Sequence, residues 1–298
     1  MTPQPGIFAQ GTRSHYHLEF DVRPDATTAE LAGVIGALRE PTVTSGGTNL
    51  VIGFGPELAR RAFPDDAPAD LEAFAGVEGA PGRVPATPHD VWVWLHGTGP
   101  DVLLDNACCV VAALSPVARL AAEQPCFVYL DSRDLTGFID GTENPPVQEA
   151  PEVALVPAGE PGEDGAHVIA IRWVHDLDAF HALDVGDQEG VIGRTKPDSV
   201  DLEEAKPPTA HIARVVVEDD AGEELEIYRR STPYGTVGER GLYFVAFSAE
   251  TSRFEIMLAR MFGTTGDGLH DRLMDFTRAT SGAYYFAPSL EILAALGE

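Results

Sequence analysis

HYHLEFDVRP (15–24), followed within three residues by TTAELAGVIGALREP (27–41), is the stretch whose reading decides the fold. The first segment alternates apolar and polar side chains with the period of two that makes a half-buried strand. The second carries apolar residues at helical spacing behind a threonine suited to cap an N-terminus. TNLVIGFG (48–55) and DVWVWLHG (90–97) read as further strands, PDVLLDNACCVVAALSPVARLA (100–121) has helical length and period, and CFVYLDSRD (126–134) reads as a strand. Strand, helix, strand, strand, helix, strand is the order of a ferredoxin-like unit.

A Pro-, Gly- and Glu-rich stretch without sustained period, VQEAPEVALVPAGEPGEDGA (147–166), then marks a surface connection. Beyond it a second cycle is predicted. HVIAIRWVHD (167–176) reads as a strand and LDAFHAL opens a helix. HIARVVVED (211–219) and ELEIYRRS (224–231) read as a hairpin about Asp220-Ala221-Gly222, and GLYFVAFS (241–248) as another strand. RFEIMLARMFG and DGLHDRLMDFTRAT are read as closing helices. The expected class is therefore α+β, two ferredoxin-like domains with antiparallel sheets and peripheral helices, one over residues 1–146 and one over 147–298.

The net charge of −27, from 47 Asp+Glu against 20 Lys+Arg, excludes ordinary binding to nucleic acid or anionic lipid. No apolar run approaches the roughly 20 residues that cross a bilayer. MTPQPGIFAQG lacks the pattern of an export signal, so a cytoplasmic location is expected. Cys108, Cys109 and Cys126 lie in apolar surroundings and are read as small buried hydrophobes.

Chemistry enters at GFIDGTENPP (137–146). Its composition suits a plain surface turn, but Phe138 and Ile139 before Asp140 draw the turn inward, and a carboxylate carried inward needs a partner or a task. The predicted hairpin brings His211 and Arg229 to one open end, adding an imidazole and a guanidinium. His175, Asp176 and His181 do not share a helical face and make a poor metal set. Glu218-Asp219-Asp220 with Glu223-Glu224 reads as a solvated hairpin tip, a weak Mn²⁺ site being the alternative.

GFIDGTENP with HIAR and RRSTPYG, in that order between PQPGI near the start and SGAYYFAPS near the end, resembles the dye-decolorizing peroxidases, especially their compact bacterial B class. The resemblance implies one haem b per chain, with His211 as the iron ligand and Asp140 with Arg229 as the distal pair. It places Ile227 and Phe244 in the apolar pocket, Arg194 of VIGRTK at a haem propionate, and Asp271 on the proximal histidine with Asp275 as the alternative. It further implies hydrogen peroxide and a small-molecule reductant as substrates, a ferryl intermediate and a homo-oligomer. One departure stands out: where some relatives have asparagine two residues after the distal arginine, this chain has Ser231. The rival is a haem-binding protein for storage, transfer or iron removal without peroxidase turnover; a paired acid and cation argue against it, since storage needs neither.

Overall fold

The computed structural model describes residues 1–39, 47–219 and 221–296. In chain order the strands are β1 (Ser14–Val22), β2 (Asn49–Phe54), β3 (Val77–Gly79), β4 (Gly82–Val84), β5 (Val91–Gly97), β6 (Ala118–Phe127), β7 (Ala166–His175), β8 (Tyr228–Arg229), β9 (Thr232–Gly235), β10 (Arg240–Ser248) and β11 (Thr277–Ala287). The helices are α1 (Thr28–Arg39), α2 (Pro56–Ala62), α3 (Pro100–Leu114), α4 (Ala150–Ala154), α5 (Leu177–Ala182), α6 (Val185–Ile192), α7 (His211–Val215), α8 (Ser252–Met261) and α9 (Leu290–Ala294).

The first half orders its strands β6-β1-β5-β2 and the second β11-β7-β10-β8. Numbered within each half, both read four-one-three-two, so the two halves repeat one topology. Among the described residues their strands join at one antiparallel pair, Phe54 with Phe286.

Period-two alternation assigns the faces. On β5, Val91, Val93 and Leu95 point into an apolar core with α1 and α3, while Trp92 and Trp94 point the other way. They meet Val168 and Ala170 of β7, Val245 and Phe247 of β10 and Tyr285 of β11, so the two halves pack sheet against sheet. Glu19 joins them there, accepting hydrogen bonds from Tyr243 and Tyr285 of the second half, each at 2.7 Å. The remaining face of the second half, with Ile169 and Ile171, looks toward α8 through Phe254, Met257 and Leu258.

Several sequence expectations fail, among them the strand read over 126–134, of which only Cys126 and Phe127 lie in β6, and the surface reading of 147–166, where Ala150, Val153 and Ala154 of α4 are buried. Segment 211–219 does not pair as a hairpin strand; its first five residues form α7, and an isolated bridge joins Glu218 to Glu224. Tertiary contacts override its β-branched composition: Arg260 donates to the carbonyls of Ala213 and Arg214, supplying acceptors' partners at the helix end, and Arg214 donates back to Arg260 O. The expected helix over 100–121 stops at Leu114, because Pro116 cannot extend it, and the chain turns into β6. The closing helix expected through 280 is a single 3-10 turn, Arg272–Asp275, and Thr277 already begins β11. Cys108 and Cys109 lie on the exposed side of α3, and only Cys126 is buried. Asp220, in the predicted acidic tip, lies outside the described residues.

Candidate active site

His211 opens α7 and is held by a carboxylate from far along the chain. Asp271, fully buried, sits 2.6 Å from His211 Nδ1 through Oδ2 and accepts from Leu273 N through Oδ1 at 2.8 Å. It is the N-cap of the 3-10 turn rather than a helical residue. The other candidate, Asp275, pairs with His270 at 3.1 Å. Because Nδ1 is engaged, Nε2 is the free nitrogen of His211, and the ring lines a cavity between the second sheet and α8.

That cavity spans about 830 Å³ counting its open side, and an adjoining lobe of about 700 Å³, counted the same way, shares Asp140, His175, His211, Arg229, Leu242 and Leu273 with it. Ile227, Phe244, Ile169, Ile171, Phe254 and Met257 make the first lobe apolar. Arg194 lines the second lobe, donating to Ser199 O at 2.6 Å and pairing with Glu143. Every residue singled out from the sequence for the site thus falls on the cavity wall, apart from Asp271, which stands behind His211. The predicted hairpin is not what gathers them; α7 and β8 do.

Asp140 comes from the turn that follows β6, its N–H bound to Ser132 O at 3.0 Å. Burial pushes its carboxyl above the usual range, and Asp134 adds to the rise; Arg229 and His211 pull the other way. Burial also lowers Arg229, which Asp140 opposes, although a guanidinium stays charged. Arg229 Nε and Arg194 Nε are both buried without a hydrogen-bond partner.

Sequence reading missed two contributors. Asn144 clasps the backbone of Arg229, Oδ1 accepting from Arg229 N and Nδ2 donating to Arg229 O, both at 2.8 Å. Its place four residues after Asp140 in the same motif was the available signal. His175, set aside as a poor metal ligand, lines both lobes, with Nδ1 at 2.8 Å from Thr277 Oγ1 and Nε2 at 3.3 Å from Asp134. Burial works to raise Asp134, but His175 and the Thr136 hydrogen bonds outweigh it and hold the carboxyl at about 2. His181 Nε2 lies 3.3 Å from Thr136 O, and Asp176 caps α5. Ser231 lines the apolar lobe, its hydroxyl turned to the backbone of Val245.

A free imidazole nitrogen backed by a carboxylate, orphaned arginine donors and apolar walls fit a haem with its propionates, and an acid–arginine pair lining the same cavity fits peroxide chemistry, so fold and site define a haem peroxidase. The sequence profile described as "Dyp-type peroxidase, C-terminal" matches residues 131–292. The chain is 35% identical over 255 residues to a "Dye-decolorizing peroxidase" of Rhodococcus erythropolis, covering 84% of this chain and 75% of that one. A namesake from Mycobacterium tuberculosis is 32% identical over 271 residues, 89% of this chain and 80% of that one. Among solved structures, a putative Dyp-type peroxidase of Shewanella oneidensis superposes with a TM-score of 0.92 at 34% identity, over 99% of this chain and 98% of that one. A Rhodococcus jostii DypB variant in complex with haem gives 0.92 at 32% identity, over 97% of each chain. The chain belongs to the dye-decolorizing peroxidase family.

Proposed function

We propose that this chain is a B-class dye-decolorizing peroxidase that binds one haem b and uses hydrogen peroxide to oxidise phenolic or other small aromatic reductants. The observation that carries the reading is the convergence of His211, backed by Asp271, and of Asp140 and Arg229 on one cavity. Its division is drawn at 146/147, with the distal turn belonging to the first half. A homo-oligomer and a cytoplasmic location remain part of the proposal; among the described residues no helix is long and apolar enough to cross a membrane.

When bound, the haem supplies the redox chemistry that reduces peroxide. His211 Nε2 would hold the iron, with Asp271 fixing the proton on Nδ1 and making the imidazole a stronger donor. Arg194 and, through its orphaned Nε, Arg229 offer donors to anionic groups of the cofactor and substrate. Asp140 takes the proton from one peroxide oxygen and returns it to the other, directly or through water. Arg229 stabilises the negative charge that grows on the departing oxygen, in a site where little water competes. Asn144 holds the Arg229 backbone so that this charge is already in position.

Purified protein should carry a haem absorption band that changes within the mixing time when one equivalent of hydrogen peroxide is added, and then returns as a phenol is consumed. A haem protein whose spectrum ignores peroxide would turn the reading to haem storage or transfer.

A further inference from the structure

Asp140, Arg229 and Ser231 also line a third space, a chamber of about 1440 Å³ counting its open mouth, bounded by residues 10–15, the loop 128–147 and β8–β9. Its charge runs against that of the chain. The sequence has 47 acids and 20 bases, yet Arg13, Arg133, Arg229 and Arg230 surround this chamber with Asp140 as their lone carboxylate. Arg133 and Arg230 are already committed, the first to Asp131 and the carbonyls of Gly137, Lys196 and Pro197, the second to the carbonyls of Ile7 and Ala9. Arg13 is fixed through its backbone, to Gly97 O and Val128 N, and its guanidinium is exposed.

Two residues that line the same chamber carry buried donors without partners. Trp94 Nε1 donates to His15 Nδ1 at 3.1 Å. An indole can only donate, so Nδ1 is the acceptor and the proton of His15 sits on Nε2. That Nε2–H is buried and unpartnered, as is the Nε–H of Arg229. Burial, with His96 and Arg230 nearby, keeps His15 neutral, at about 3. An unmade hydrogen bond of this kind costs about 1–3 kcal/mol, which an acceptor recovers. Tyr129, Pro145, Pro146 and Val147 add flat apolar wall.

We propose that this chamber binds a small aromatic carboxylate as an anionic reductant, its charge drawn by Arg13 and met by the unpartnered donors of His15 and Arg229, its ring against the Tyr129 and proline wall. The reductant identity rests on the peroxidase reading; the binding does not. Two molecules of a phenolic acid each give up one electron and one phenolic proton, and one hydrogen peroxide takes both to become two waters.

The test is calorimetric titration of the haem-loaded protein with benzoate, which is redox-inert, and with benzyl alcohol as its neutral counterpart, while the haem absorption is followed. Benzoate should bind saturably at one site and at least about tenfold tighter than the alcohol. Arg13→Gln should weaken it about threefold, as for a solvent-facing charge, and His15→Phe about tenfold, as for a lost hydrogen bond to a charged group. In turnover, the ratio of kcat/KM for 4-hydroxybenzoate to that for phenol should fall in Arg13→Gln. Equal affinity for benzoate and benzyl alcohol overturns the proposal. So does benzoate binding that shifts the haem bands and is indifferent to both substitutions, since the anion would then sit on the iron. Benzoate binding as expected in a protein that does not turn over peroxide would leave the site standing and remove the peroxidase reading instead.

Discussion

The two halves share one strand order and differ in what lies on the outer face of each sheet. In the first, the connection 23–48 supplies α1, which with α3 fills that face with Leu18, Ile52, Val93, Leu31, Ile35 and Leu103. In the second, the connection 176–227 is about twice as long, and its helices do not close the face. It delivers His211 on α7 to the rim and leaves a cavity where the first half keeps aliphatic side chains. A crossover helix has been exchanged for space and a ligand. Fold and function separate at this point, since one topology serves as packing in one half and as a cofactor site in the other.

The largest expected effect falls on the hollow half. His211→Ala should fold yet lose tight haem binding; haem reconstitution with an unchanged stoichiometry and histidine-ligated spectrum would refute the ligand assignment. Arg229→Leu should slow the peroxide-driven change in the haem spectrum by roughly 10²–10³, the scale of one lost preorganised charge-stabilising group. Asp140→Asn should slow it less, by about 10- to 100-fold, because water can partly carry the proton. Stopped-flow mixing across pH 4–8 orders the two, and a more damaging Asp140→Asn at every pH would make the carboxylate the principal catalyst.

Stability sharpens the same contrast at lower amplitude. Leu18→Ala, in the filled half, should cost about 2–5 kcal/mol, and Leu242→Ala, on the cavity wall, less than half as much, because its side chain is only partly buried; equal losses in denaturant melts would mean that the second half is not hollow in solution. Asn144→Ala removes both clasps on Arg229 and should cost about 1–3 kcal/mol, with a slower peroxide reaction as its second readout. The smallest effect concerns Asp140 in haem-free protein. Its folded pKa is raised, so its ionised form is penalised by folding at neutral pH and the penalty fades as pH falls below the ordinary carboxylate range. Asp140→Asn should therefore melt higher than the parent at pH 7 and level with it in acid. A gap that widens toward low pH would contradict the burial.

How much was legible follows from range. Near-continuous apolar runs in DVWVWLHG and HVIAIRWVHD marked β5 and β7 because both faces of each strand meet a core, and Pro100 stands at the start of α3. Segment 211–215 misled because its helix depends on Arg260, and β11 was missed because a short acidic turn preceded it with helical-looking spacing. At the site, residue types announced Asp140, His211 and Arg229. Asn144 and His175 stayed silent, one because its partner is a backbone, the other because its neighbour Asp134 belongs to the other side of the connection.

The clasp of Asn144 on Arg229 spans 85 residues and the pair of His211 with Asp271 spans 60. Closures of that length are formed only after their loops have been drawn together. The shortest continuous piece of chain that carries both therefore runs from Asn144 to Asp271, across the connection between the halves, and Asp140 lies four residues before it. Cleavage at 146/147 would part the distal acid and its clasp from the arginine they serve, so each fragment would keep an incomplete set, and reactivity toward peroxide would return only when the two pieces found each other again.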